Sequence, residues 1–160
     1  MNVDVCGSFM IPAGNGRNFR FDGVLLGASS SQKPGVNRWV EFALHRSGGG
    51  SYVLSRVGRS SFFHRPDCAV VSRNELRIDV VPPGGVPCEL CRPDPEDGAL
   101  CPEMPRFWAA MFTDPGALIR ALEQNGDSGR YVTNVAARLV ETAAVRDREL
   151  AEAWMSIRVD

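Results

Sequence analysis

"RWVEFALHRSGGGSYVLSRVG", residues 38–58, decides how the first half of this chain is read. Its opening residues alternate: Trp39, Glu41, Ala43 and His45 project one way, and Val40, Phe42, Leu44 and Arg46 the other. Such alternation is the period of a strand whose two faces meet different surroundings. Three glycines at 48–50 give the backbone the freedom of a tight turn, so 51–58 returns as the partner strand of a hairpin. Outward from this hairpin, "NFRFDGVLLGAS" (18–29) carries the branched and aromatic residues of a strand. "ELRIDVV" (75–81) reads as another, stopped by Pro82-Pro83. "AGNGR" (13–17) and "SSSQKPG" (29–35) are loops by their Gly, Ser and Pro content.

Beyond Cys91 the pattern changes. "RPDPEDGALCPEMP" (92–105) holds four prolines and four acids and reads as an irregular connector. Phe107, Trp108, Met111 and Phe112 suggest a short helix. Asp114 followed by Pro115 is an N-cap with proline in the first turn, Leu118, Ile119 and Leu122 form a helical stripe, and Asn125-Gly126 closes the segment. From Ser128, read as a cap, to Val159 runs a long helical pattern, with Val132, Val135, Ala136, Leu139 and Ala143 on one face. Leu150, Trp154 and Ile157 continue it past a break near Arg146-Asp147.

At 160 residues with 44% hydrophobic content, the chain can bury a real core. No apolar run is long enough to span a bilayer, and "MNVDVCGSFMIP" lacks a basic leader and a long apolar stretch. The expected location is therefore the cytoplasm, where thiols stay reduced. The net charge is −1, but residues 1–81 carry ten basic and six acidic side chains, and residues 82–160 carry eight basic and thirteen acidic ones. Lys33 is the only lysine; the other seventeen cations are arginines, a bias that codon usage alone can produce.

Five cysteines make an odd set, which argues against a complete disulfide framework and for a metal site. Cys88 and Cys91 form a Cys-x2-Cys pair that can offer two thiolates from one tight turn. His64 and Cys68 supply a second pair, His-x3-Cys, from a short segment upstream. The set His64, Cys68, Cys88 and Cys91 fills a tetrahedron and leaves no open position, which is the signature of one structural Zn²⁺. Cys101, nine residues past Cys91, is an alternative to His64, and His45 sits one hairpin away. Cys6 is a strand residue or an exposed thiol. A redox Cys-x-x-Cys would want a helix directly after its first cysteine, where "PCELCRPDP" offers prolines instead.

"FHRPDC" followed by "VPCELCRPD" resembles the metal-binding domain of the bacterial Ada DNA-repair family over residues 60–95. That resemblance implies a zinc site held by a His-x3-Cys or Cys-x3-Cys pair and a Cys-x2-Cys pair. In the family, the first cysteine of the first pair accepts a methyl group from a DNA phosphotriester; His64 stands at the matching position here. Imidazole ligates zinc but is not the activated thiolate that methyl transfer needs. The nineteen residues between Cys68 and Cys88 also make a shorter insert than the repair domain carries. The resemblance thus implies the zinc site without the repair chemistry.

No phosphate-binding glycine loop is present, and two histidines leave little for general-base work, so no catalytic constellation is complete. The expected function is that of a non-catalytic, zinc-stabilised binding or accessory protein acting through a protein partner or assembly, with Trp154, Met155 and an acidic face on the helical tail. The alternative is nucleic-acid binding, DNA or RNA, through Arg56, Arg59, Arg65, Arg73 and Arg77, with Phe62 and Phe63 among them. The fold class is α+β: an N-terminal antiparallel β-sheet with a zinc-anchored segment, then a C-terminal helical region. Its parts are a β-rich zinc-binding domain at 1–95 and a helical region at 96–160, packed together as one unit.

Overall fold

A computed structural model describes residues 6–70, 85–94, 98 and 100–158. Five strands come first: β1 (Cys6–Gly14), β2 (Arg17–Ser30), β3 (Arg38–Ser47), β4 (Tyr52–Ser60) and β5 (Phe62–His64). β6 (Val86–Pro87), β7 (Cys101–Pro102) and β8 (Arg106–Phe112) follow. Then come α1 (Pro115–Leu122), β9 (Glu123–Gly126), β10 (Gly129–Val132), α2 (Asn134–Ala144) and α3 (Arg148–Arg158). Antiparallel sheet predominates and the helices are short, so the class is broadly α+β. The expected strand at 75–81 lies outside the described residues, and among those described no helix is long and apolar enough to cross a membrane.

The chain divides into two units that interleave in sequence. The first comprises residues 1–31, 41–57 and 107–160, and the second residues 32–40 and 58–106. In the first, β1 and β2 form a hairpin around Asn15-Gly16, both at positive φ, as a two-residue turn of the hairpin type requires. The alternating hairpin expected from 38–58 is the pair β3 and β4, central to a curled five-stranded sheet in the order β1-β2-β3-β4-β8. Its turn is tied by Ser47 N–H to the Ser51 carbonyl at 2.8 Å. In β2 the register shifts between Leu25 and Gly27, a bulge that bends the strand. Leu26 is buried there, and a Cβ on Gly27 would come within 3.2 Å of the Ala143 nitrogen, so glycine lets α2 lie directly on β2. The curl brings the end of β1 toward β8: a Cβ on Gly14 would sit 2.8 Å from the Phe107 carbonyl oxygen.

The helices cover one face of this sheet. Leu26, Leu44, Tyr52 and Leu54 from the strands pack with Leu118, Ile119 and Leu122 of α1, with Ala136, Leu139, Val140 and Ala143 of α2, and with Leu150 of α3. Asp147, only 4% exposed, sits at the start of α3 among charge and dipole partners. It accepts from the Tyr52 hydroxyl at 2.9 Å, from the Leu150 N–H at 3.0 Å and from Arg46 at 2.7 Å. The Arg46 guanidinium also lies over the Tyr52 ring, 4.8 Å from its centroid. A buried carboxylate costs little when three donors meet it, and here the same carboxylate caps a helix and binds it to β3 and β4.

Three expectations for the last third need correction. Residues 106–112 are the strand β8, not a helix; a short apolar run fits both periods, and Pro105 with no capping residue leaves the strand. α1 starts where expected, Asp114 accepting from Ala117 N–H at 2.9 Å, but ends at Leu122. Asn125-Gly126 belongs instead to the hairpin β9–β10, and Ser128 lies in its turn rather than at a helix cap. The true cap is Thr133, whose hydroxyl accepts from Ala136 N–H at 3.4 Å. The break at Arg146-Asp147 is where one helix ends and the next begins. Trp154 packs against the core, so of the two tail residues read as a partner surface only Met155, 68% exposed, lies on the outside.

Candidate metal centre

The second unit is organised by a small sheet in the order β6-β5-β7. β6 runs parallel to β5, pairing Phe63 with Pro87; β7 runs antiparallel, pairing His64 with Cys101. Phe63, Leu100 and Cys101 are buried around it. His64 ends the central strand with no exposed surface. A turn closed by Cys68 N–H to the Arg65 carbonyl at 3.0 Å then carries the chain to Cys68. From the parallel neighbour, Cys88 N–H donates to the Phe63 carbonyl at 3.0 Å, and the next turn presents Cys91. That turn ends on Arg92, held at φ 46°, a left-handed conformation unusual for a side chain with a Cβ.

The sequence pairs thereby meet. The ligand atoms of His64, Cys68, Cys88 and Cys91 all lie within 4.8 Å of one another, a group that could hold a metal ion. A tetrahedron with Zn–S bonds of about 2.3 Å has edges of about 3.8 Å, so only a small contraction separates the two. Cys101 is not one of the four; it faces His64 across the ladder and is buried.

The surroundings of the donors suit a cation. Backbone N–H groups point at the sulfurs: those of Cys91 and Leu90 at Cys88, and that of Arg65 at Cys91, the last at 3.4 Å. Burial pushes the Cys88 thiol up, but these N–H groups and the neighbouring thiols outweigh it and hold the thiol below its ordinary value. Cys91 is pushed up to about 11, first by burial and then by its proximity to Cys68 and Cys88, with the Arg65 N–H pulling the other way. Sulfurs crowded this way repel one another as thiolates, and a divalent cation between them removes that repulsion.

The imidazole carries the most telling detail. His64 Nε2 lies 3.0 Å from a Glu103 carboxylate oxygen, and the same oxygen is 2.6 Å from the Arg38 guanidinium. Arg38 in turn rests over the Phe62 ring at 5.1 Å. The other ring nitrogen, Nδ1, is buried and has no hydrogen-bond partner. An unmet buried polar atom costs about 1–3 kcal/mol, and a metal ion beside the three sulfurs would meet it. Glu103 escaped the sequence reading because its partner is 39 residues away and no spacing rule connects the two.

His45, the other histidine, is only 4% exposed and packs between Phe9 and Phe21, with ring centroids 4.5 Å and 5.6 Å away. Burial lowers its pKa, as befits an imidazole packed as core. Cys6 is exposed at the start of β1. Of the arginines read as a nucleic-acid face, Arg56 and Arg65 are exposed and Arg59 is half-buried, while Arg73 and Arg77 lie outside the described residues. Arg65 pairs with Asp67 at 3.4 Å. Phe63 is core and Phe62 lies beneath Arg38, so neither ring is laid out as a platform for a base.

No family model matches this chain, and no curated protein or solved structure shows significant similarity to it. The likeness to the Ada metal-binding domain therefore rests on four donors and their spacing.

Proposed function

We propose that His64, Cys68, Cys88 and Cys91 bind one structural Zn²⁺, and that the chain is a non-catalytic, zinc-stabilised accessory protein that works by holding a protein partner. The observation that carries the metal is the closed donor set, three sulfurs with backbone donors aimed at them and one buried nitrogen left without a partner. Four protein ligands leave no coordination position for substrate, which separates a structural ion from a catalytic one. Elemental analysis of untagged protein purified without chelators should find one zinc per chain; absence of a stoichiometric metal overturns the assignment.

Support for a protein partner comes from β8. Among the described strands it stands at the edge of the large sheet and bears Phe107, Trp108 and Met111, which are 40, 43 and 56% exposed. Apolar side chains on a sheet edge favour association with another chain. Replacing Trp108 and Met111 together by glutamate should abolish co-purification of the partner while zinc content and folding are kept. Retained co-purification would count against this edge. Retention on DNA that falls steeply with salt would favour the nucleic-acid alternative instead.

A further inference from the structure

Building on the zinc assignment, we infer that Glu103 is a positioning residue of the metal centre: it fixes the His64 tautomer so that Nδ1 carries the lone pair to the ion. A neutral imidazole has one N–H and one bare nitrogen, and whichever nitrogen faces an acceptor must hold the proton. Nε2 faces a Glu103 oxygen at 3.0 Å, and a carboxylate accepts but does not donate. The proton therefore sits on Nε2, and the free lone pair sits on Nδ1. Nδ1 is the buried atom without a partner, on a residue whose ring is one of the four clustered donors.

Three further features hold Glu103 in this role. Its backbone N–H donates to the Phe62 carbonyl at 3.1 Å, which anchors the residue beside the strand that ends in His64. Its side chain is only 10% exposed, so water competes weakly for the carboxylate. Arg38 meets the same oxygen and balances the negative charge. A simple Arg38–Glu103 strut would explain the ion pair but not why a fully buried ring points one nitrogen at the carboxylate and leaves the other bare. A carboxylate behind a ligating histidine orients the ring and makes it a better donor, and its loss commonly weakens metal binding by about 10- to 100-fold.

The test uses the full chain loaded with zinc, with affinity measured by chelator competition and the imidazole followed by ¹⁵N-edited proton spectra. The chain has two histidines, so the resonances of His64 and His45 are readily told apart. In the unaltered protein, His64 should show a metal-bound Nδ1 and a hydrogen-bonded Nε2–H shifted downfield. Glu103→Ala should weaken zinc binding by about 10- to 100-fold and abolish that downfield shift. Glu103→Gln keeps an acceptor oxygen, so it should keep the tautomer and lose less affinity; it also serves if the alanine variant does not fold. Metal on Nε2, or zinc affinity unchanged in both variants, overturns the inference while leaving the zinc site standing. An unaltered protein that binds no zinc overturns both.

Discussion

The two units stabilise themselves by different chemistry. In the first, twelve buried side chains from three strands and three helices interlock, and only one of them, Tyr52, has a polar side-chain atom to satisfy. Among the described residues of the second, His64, Cys88 and Cys101 are buried beside Phe63 and Leu100, in or next to strands of two or three residues. Strands that short gain little from their ladders, and the few apolar side chains buried among the described residues there gain little from leaving water. The comparison teaches that burial alone does not define a core: in one unit burial removes hydrocarbon from water, and in the other it assembles donors. The proposed ion would make the second strategy work, because its binding energy would be folding energy.

The sharpest way to break the comparison is to remove the proposed ion. Cys88→Ser, or chelation of the unaltered protein, should strip amide protection from residues 58–70 and 85–94, a loss on the order of 10 kcal/mol for a structural zinc. Hydrogen exchange should show residues of α2 and β3 still protected. Uniform loss of protection across the chain would mean that one cooperative unit, not two, responds to the metal.

The converse perturbation strikes the hydrocarbon. Leu139, fully buried on α2, should cost about 3–5 kcal/mol when cut to alanine, read by denaturant unfolding, with zinc stoichiometry unchanged. Next comes the polar knot around Asp147 in that unit. Asp147→Ala removes an acceptor from Arg46, Tyr52 and the first turn of α3 together, and roughly 2–3 kcal/mol should be lost. If Asp147→Ala proves neutral, the carboxylate is not what ties α3 to the sheet.

Acid should sharpen the contrast further. His45 has its pKa lowered by burial below 6.5, so the unfolded chain binds a proton that the folded chain refuses. Stability attributable to this residue is present above pH 6.5 and declines as pH falls from there toward the folded-state pKa. His45→Phe should flatten that part of the slope. Comparing the two proteins at pH 7.5 and 5.5 isolates the effect, since both carry the same metal donors; parallel slopes would refute it. The smallest effect is expected at Arg92. Glycine there would relieve the left-handed strain at φ 46° but loosen the unfolded chain, so Arg92→Gly should change stability by only about 0.5 kcal/mol.

How much of this could be read in advance follows from the range of each signal. The β3–β4 hairpin and the Asp114 cap are encoded within a few residues, by alternation, three glycines and a capping side chain, and both are present. The four donors were legible because metal geometry imposes spacings that short segments must obey. β8 was not: "RFWAAMF" satisfies two periods, and its pairing with β4, some fifty residues earlier, decides between them. The hairpin β9–β10 was hidden because Asn125-Gly126 reads as a helix end, whereas both residues pair within β9 and the turn falls at Asp127-Ser128. Glu103 is the extreme case, since its meaning lies wholly in a contact made across the small sheet.

The interleaving of the units has a consequence for the order in which the protein can be made. A ribosome makes the chain in sequence order, and by Glu103 every group of the candidate metal centre has been synthesised. The hydrocarbon unit must wait, because Leu26 and Leu44 have no lid until Leu139 and Leu150 emerge. Contacts such as Arg46 to Asp147, 101 residues apart, are slow to find for any chain. If the proposed zinc binds there, its supply during translation would act on the half that is ready first, while the hydrocarbon half is completed last.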